Sequence, residues 1–186
     1  KKETSFIISH ALKNNIKFID TASDYQNSEK IIGKIKHSKN LNIITKLSNI
    51  KNNSLNSKNW ITKMDQQLKN SQIKLRINKL YGLLIHNPND LIGKNSEIIF
   101  NRLRDYKGMK YVKKIGVSVY TIQEAKKILD KFKLDIIQVP INVFNQEFLN
   151  RNFLESVKRN HIEVHARSIF FQGMAIQDIN KIDSYF

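Results

Sequence analysis

Short, continuous apolar runs alternate along the chain with longer amphipathic segments. The runs at residues 41–46, 80–86, 115–119, 134–139 and 162–166, with an earlier run that leads into Asp20, predict six strands. Apolar residues at helical spacing predict six helices at residues 4–15, 27–36, 60–75, 98–106, 122–132 and 153–159, and residues 48–59 read as a loop. Because continuous apolar runs are typical of strands buried on both faces, we expect a parallel sheet.

Each predicted strand ends on a polar residue. These residues are Asp20, Lys46, His86, Ser118, Gln138 and, at the last strand, Arg167 with Ser168. The carboxyl ends of parallel strands lie at one end of the sheet, where α/β proteins place their functional residues. The pattern therefore predicts a functional face built from these strand ends.

The repeated strand–helix unit favours an α/β fold of the (β/α)8 TIM-barrel type. Such barrels typically have eight units in about 250 residues, whereas this chain of 186 residues supplies six. No Pro/Gly/Ser-rich stretch divides it, so we expect residues 1–186 to form a single domain, a partial barrel.

Charge alone raises the question of an anionic partner. Lys and Arg number 32 against 16 acidic residues, which gives a formal charge of +16. A nucleic-acid-binding domain is one interpretation of such a balance. The basic residues are spread along the chain, however, so we favour a solvated basic surface and expect neither a nucleic-acid nor a membrane partner.

Other classes of site find little support in the composition. The chain has no cysteine and five histidines, none of them paired on a predicted helix as in helix-borne zinc sites, so neither a disulfide framework nor a metal site is indicated. No apolar run approaches the roughly 20 residues that cross a bilayer. A cytoplasmic protein is the default expectation.

One stretch carries the most specific chemistry. Asp20-Thr-Ala-Ser-Asp-Tyr25 follows the first strand, and Lys46 and His86 end the next two. This set resembles the catalytic tetrad of the aldo-keto reductases. Three later motifs resemble that family's strand ends in the expected order: Ile115-Gly-Val-Ser118, Ile137-Gln138 with Asn142, and Ala166-Arg-Ser-Ile-Phe-Phe-Gln-Gly173. The last is similar to a bacterial branch with an Arg-Ser-x-Phe-x-Gln-Gly motif.

The resemblance implies strands 2 to 7 of the family's barrel, so we expect a fragment truncated at both ends. It also implies an NAD(P)H-dependent reductase in which Tyr25 donates a proton to the substrate oxygen. Lys46 would stabilise the phenolate, Asp20 would hold Lys46, and His86 would orient the substrate. Each residue has a structural alternative: a loop aromatic, a cap, a surface lysine and a satisfied histidine.

The resemblance further implies that Ser118, Gln138, Asn142, Arg167 and Ser168 bind the cofactor. Val119 stands where the family commonly has Asn, and Asn142 is equally well explained as a turn residue. Arg167 replaces a stacking Tyr, although a guanidinium can also stack on a flat ring. The family's adenosine 2′-phosphate site follows its eighth strand, so NADP and NAD stay open as alternatives.

The expected function is reduction of an aldehyde, ketone or sugar-derived carbonyl compound by a nicotinamide nucleotide. A catalytically degenerate or regulatory reductase-like module is the alternative within the same ancestry. Because a six-unit sheet leaves two edge strands unpaired, we also expect association through those edges.

Overall fold

The computed structural model of the protein describes residues 2–35, 40–51 and 57–178. Six strands form one sheet, in which all neighbours are parallel and the strand order is that of the sequence. The strands are β1 (Phe18–Asp20), β2 (Asn42–Leu47), β3 (Leu80–Ile85), β4 (Val112–Ser118), β5 (Ile136–Pro140) and β6 (Glu163–Arg167). The helices of these residues are α1 (Lys2–Lys13), α2 (Ser28–Ile32), α3 (Ser57–Leu75), α4 (Ser96–Gly108), α5 (Ile122–Leu129) and α6 (Arg151–Arg159). The predicted incomplete (β/α)8 barrel is confirmed.

Most differences from the predicted bounds lie at helix ends. α1 stops at Lys13, and Asn15 has a left-handed φ of 61° that ends the helix. α3 begins three residues before the predicted start, because polar residues at its first turn hide it from an apolar pattern. Residue 36 of the second predicted helix and residues 52–56 of the predicted loop lie outside the described residues.

Strand β4 also begins earlier than predicted, at Val112 rather than residue 115. Lys113 and Lys114 break the apolar run there. The structure accounts for Lys114, whose ammonium pairs with Glu163 of β6. A charged residue with a partner 49 positions away carries no local signal of strand structure.

The sheet is curled, so that its first strand meets its last two across the concave face. Gln138 Nε2 on β5 donates to Asp20 Oδ1 on β1 at 2.9 Å. The rings of Phe18 and His165, on β1 and β6, lie 6.0 Å apart between centroids. This curvature brings the ends of distant strands into one site.

The convex face of the sheet packs against the helices and forms the main core. Side chains that alternate along the central strands interdigitate with buried residues of α3 to α6; the cluster includes Ile43, Leu83, Val117, Ile137, Met64, Leu103, Ile128 and Val157. Each fully buried side chain of this kind contributes about 1.5–3 kcal/mol. The core therefore fixes the positions of the strand ends.

The concave face is filled at mid-height by a small apolar cluster of Ile44, Leu84 and Ile136. Gly116 is required beside it, because a Cβ at this position would lie 2.2 Å from the Ile136 carbonyl oxygen and 2.7 Å from Leu84 Cδ2. Any larger residue would push β4 away from β5. The apolar cluster separates two polar layers, one at each end of the strands.

Strands β1 and β6 are the edges of the sheet in the described ranges. Their residues are less buried than those of the four central strands, and Phe18 is 50% exposed. Strands buried on both faces are thus confirmed for the centre only. Association through these edges stays a prediction.

Near the amino-terminal ends of the strands, the concave face carries an ionic cluster centred on Glu163. Its carboxylate accepts from the Tyr81 hydroxyl at 2.9 and 3.0 Å and contacts the Lys114 ammonium. His165 Nε2 lies 3.4 Å away. Burial opposes ionisation of Glu163, but the hydrogen bonds from Lys114 and Tyr81 outweigh it and lower its pKa.

Glu163→Gln is expected to lower the free energy of unfolding by about 1 kcal/mol near neutral pH, after allowance for solvent screening. A carboxyl group whose pKa is lowered by folding stabilises the protein above its unfolded pKa, and this contribution is lost as pH falls through the folded value. Denaturant unfolding curves of wild type and variant should therefore converge in acid. Glu155→Gln, an exposed carboxylate paired with Arg151 on one helix face, is the control. A difference in the free energy of unfolding between wild type and Glu163→Gln that is independent of pH would contradict the proposed role of the Glu163 charge.

Candidate active site

The four residues of the expected tetrad lie together at the carboxyl end of the sheet. Asp20 is the last residue of β1, Lys46 is the fifth of the six residues in β2, and His86 follows β3 directly. Tyr25 lies in the loop between β1 and α2. Because side chains alternate along a strand, Asp20 and Lys46 both point to the concave side, which brings them into contact with each other.

Lys46 is the most buried member of this group. Its side chain is 1% exposed, and its Nζ donates to Asp20 Oδ2 at 2.6 Å and to the Thr21 carbonyl oxygen at 2.9 Å. Burial lowers the pKa of Lys46, while the charge and hydrogen bond of Asp20 oppose that shift. The carboxylate thus holds an ammonium group in a place where it is poorly solvated.

Tyr25 is 47% exposed and lies between Lys46 and His86. Lys46 Nζ is 5.4 Å from the centre of its ring, and the His86 ring meets it edge-on at 5.9 Å between centroids. Burial raises the pKa of Tyr25, and the charge of Asp20 raises it further. The phenol of Tyr25 is therefore protonated at neutral pH, as a proton donor must be, and its stabilisation by Lys46 as a phenolate stays a prediction.

The imidazole of His86 is held through one ring nitrogen. Its Nδ1 lies 3.0 Å from Ser48 Oγ and 3.4 Å from Asp24 Oδ2. Gln67 of α3 fixes Ser48 by accepting from its backbone N–H at 2.9 Å and donating to its carbonyl oxygen at 2.8 Å. With Nδ1 engaged in this way, Nε2 is the ring nitrogen left for a ligand.

Sequence reasoning missed Asp24, Ser48 and Gln67. Asp24 is adjacent to Tyr25 and Ser48 follows β2, so both had a positional signal as residues just beyond strand ends. Gln67 had none, because it reaches the site from the middle of a helix.

Two of the expected cofactor-binding residues are buried beside the tetrad. Ser118 and Gln138 are aligned on β4 and β5 and are 2% and 3% exposed. The Gln138 amide nitrogen is used by Asp20, but its Oε1 is buried and has no hydrogen-bond partner in the described structure. This carbonyl oxygen is an unused acceptor next to the catalytic candidates.

Arg167 extends from the end of β6 towards the same place. Its guanidinium carbon lies 4.4 Å from the centre of the Tyr120 ring, and Nη2 donates to the Val119 carbonyl oxygen at 3.2 Å. Its Nε is buried and finds no partner among the described residues. Stacking by this guanidinium, expected against a cofactor ring, occurs here on Tyr120.

Asn142 and Ser168 lie farther from the tetrad. Asn142 Oδ1 accepts from the backbone N–H groups of Phe144 and Asn145, both at 2.9 Å, and thereby closes a turn. Its side-chain amide contacts the Ser168 carbonyl oxygen at 3.4 Å, and Ser168 itself is exposed with a φ of 59°. The turn interpretation of Asn142 accounts for these contacts, and cofactor binding by either residue stays a prediction.

A cleft of about 240 Å³ opens above His86. It is lined by Asp24, Ser48, Asn49, His86, Asn87 and Tyr120. Apart from the ring of Tyr120, these side chains offer hydrogen-bonding groups. The cleft suits a small polar molecule.

Neither a metal-binding cluster nor a membrane-spanning helix is found among the described residues. The described residues contain no group of three or more His, Asp or Glu that could hold a metal ion. None of the helices in these same ranges is both long and apolar enough to span a membrane.

The sequence model of the Aldo/keto reductase family matches residues 1–184. No curated protein sequence gives a significant match.

Solved structures with the same fold include several that are described as reductases. One from Bacillus halodurans, in its holo form, has a TM-score of 0.80 at 15% identity, over 100% of this chain and 63% of its own. The thermostable aldo-keto reductase Tm1743 with the inhibitor epalrestat gives 0.74 at 21%, over 96% and 64%. An aldose reductase from Giardia lamblia gives 0.67 at 23%, over 90% and 61%. The chain spans 60 to 65% of the length of eight solved structures that it matches.

Proposed function

The chain belongs to the aldo/keto reductase family, and on this premise we propose that the protein reduces a carbonyl group with a nicotinamide nucleotide, NADPH or NADH. The substrate would be a small aldehyde, ketone or sugar-derived compound. The observation that carries the proposal is the buried ion pair of Lys46 with Asp20, with Tyr25 and His86 in contact with each other beside it. A lysine this buried is rare without a specific task.

Each side chain has a distinct part in the proposed reaction. The bound nucleotide would supply a hydride to the carbonyl carbon. The Tyr25 hydroxyl donates its proton to the carbonyl oxygen, so that an alcohol forms and a phenolate is left. Lys46, kept in place by Asp20, stabilises the negative charge of the phenolate. Without a nearby cation a phenol, whose pKa is about 10, is a weak proton donor at neutral pH. His86 Nε2 orients the substrate oxygen.

The residues around the tetrad fit a nicotinamide group. Its carboxamide has both donors and an acceptor, and the buried Gln138 Oε1 and Arg167 Nε are an acceptor and a donor without partners in the described structure. Ser118 adds a hydroxyl beside Gln138. We assign these three residues to the nicotinamide end of the nucleotide and Asn142 with Ser168 to its periphery.

The test is carbonyl-dependent oxidation of NADPH and of NADH by the whole protein, followed by the absorbance of the reduced nicotinamide. We expect oxidation in the presence of aldehydes and only a background rate without them. Binding of either nucleotide without any carbonyl-dependent oxidation would instead favour a regulatory module. If the protein bound neither NADPH nor NADH, the proposal would be overturned.

Gln138→Met is expected to weaken nucleotide binding about tenfold, or about 1.4 kcal/mol, because it removes the amide but keeps the volume. Calorimetric titration measures the change. The control is Gln123→Met on α5, an exposed glutamine outside the site, which should bind as wild type. Equal affinity in both variants would remove Gln138 from the cofactor site.

A further inference from the structure

The cleft above His86 carries one carboxylate and no free cation among the residues that line it. The carboxylate is that of Asp24, whose side chain is 41% exposed. The nearest cationic side chains are already engaged: Lys46 with Asp20, and Arg167 with Tyr120 and the Val119 carbonyl oxygen. A molecule entering the cleft therefore meets the negative charge of Asp24, which among the lining residues only His86 can oppose, through Nδ1 at 3.4 Å from Oδ2.

Contacts on both of its oxygens fix Asp24 in this position. Ser23 Oγ donates to Oδ1 at 2.9 Å, and His86 Nδ1 lies 3.4 Å from Oδ2. Burial opposes its ionisation, but hydrogen bonds from Ser48 and Ser23 and the charge of His86 outweigh burial and lower its pKa. Asp24 is thus ionised at neutral pH.

We propose that Asp24 determines substrate specificity, by selecting neutral carbonyl compounds over those that carry a carboxylate or another negative charge. This inference rests on the proposed function, because it concerns the substrate of the same site. It also gives Asp24 a role distinct from that of the tetrad, since the carboxylate acts on the body of the substrate rather than on its carbonyl oxygen.

The local effect opposes the general field of the protein. The formal charge of +16 attracts anions over a range set by the Debye length, about 8–10 Å at ordinary salt. A unit charge within several ångströms in the cleft acts more strongly on a bound substrate than this diffuse field does. A comparison of variants that each lose one carboxylate separates the two contributions.

The experiment compares two aldehydes of nearly equal size, 4-carbamoylbenzaldehyde and 4-carboxybenzaldehyde, which differ in one negative charge. In the wild-type protein, kcat/KM should favour the carboxamide roughly tenfold. Asp24→Asn should bring the kcat/KM values of the two aldehydes within about twofold of each other. The ratio of the two values is the readout, because any effect of the substitution on His86 acts on both aldehydes alike. Asp130→Asn, which removes an exposed carboxylate at the end of α5, should keep the wild-type preference.

Three results would overturn the inference. One is a wild-type preference that Asp24→Asn leaves unchanged, and another is an equal shift in Asp130→Asn. The third is loss of turnover of both aldehydes in Asp24→Asn, which would make Asp24 a positioning residue for His86 instead.

Binding of the two product alcohols, 4-carbamoylbenzyl and 4-carboxybenzyl alcohol, separates this inference from the proposed function. Their affinities can be measured from the NMR shifts of the His86 ring, whether or not the protein turns over an aldehyde. A roughly tenfold preference for the carboxamide that disappears in Asp24→Asn supports the inference even if no reduction is found. Equal affinities in the wild-type protein would contradict it even in an active reductase.

Discussion

Replacement of Tyr25 by phenylalanine is expected to lower turnover at least about 100-fold, the scale of a lost general acid. The variant loses the hydroxyl but keeps the ring, which contacts His86 and Lys46. Nucleotide affinity should stay within about twofold of wild type, because the proposed role of the phenol is on the substrate oxygen. Initial rates and calorimetric titration give the two quantities.

Tyr111→Phe is the matched control, since Tyr111 is 45% exposed and precedes β4 at the other end of the sheet. It should turn over as wild type. Near-normal rates in Tyr25→Phe would exclude Tyr25 as the proton donor.

The pKa of Tyr25 predicts how the rate depends on pH. Reduction requires the protonated phenol, and burial together with Asp20 raises its pKa above the ordinary 10.0. The part of the rate that depends on this proton should therefore persist through neutral pH and fall only in strongly alkaline solution.

Lys46→Met is expected to lower turnover by a similar factor, about 100-fold or more, without destabilising the protein. Methionine fills the space of the lysine stem but brings no charge to the developing phenolate. Burial already disfavours the ammonium at this position, as the lowered pKa of Lys46 indicates, so its loss costs little folding energy. Rates combined with denaturant unfolding test both halves of the prediction.

Asp20→Asn provides the contrast, because it removes the carboxylate and leaves the buried ammonium. We expect it to lower the free energy of unfolding by about 1–3 kcal/mol, less than for a fully buried pair since Asp20 is 40% exposed. Lys126→Met, at an exposed lysine of α5, should change neither property. Full activity in Lys46→Met would refute the role assigned to Lys46.

The sequence predicted the fold well because strands and helices differ in their local apolar patterns. The central strands are buried on both faces, so their runs of Ile, Leu and Val are conspicuous. The start of β4 was hidden because Lys114 enters the strand only through its pairing with Glu163. Glu163 lies on β6, two strands away, and comes within reach of Lys114 only because the sheet is curled.

In the site, too, residues with a local sequence signal were predicted and contacts between distant residues were not. Asp20, Lys46 and His86 were predicted from their places at consecutive strand ends, and the ion pair of the first two is present. The network from Gln67 through Ser48 to His86 joins a helix to two loops, and no spacing in the sequence indicates it. The pKa of Tyr25 is raised by burial and by the charge of Asp20, and neither the burial nor the distance to Asp20 can be read from the sequence.

The order of the sheet has a consequence for how this chain folds. Every strand pairs with the strand that follows it in the sequence, so each unit can dock on the one before it as soon as both are made, at a small cost in loop closure. The contacts across the concave face are different, because Gln138 meets Asp20 over a separation of 118 residues. They can form only after β5 has been added. The tetrad candidates come from β1 to β3 and the loops beside them, so they can assemble early, whereas the side of the site that carries Gln138 and Arg167 follows later. An intermediate that stops at β4 would have the Lys46–Asp20 pair but no closed site.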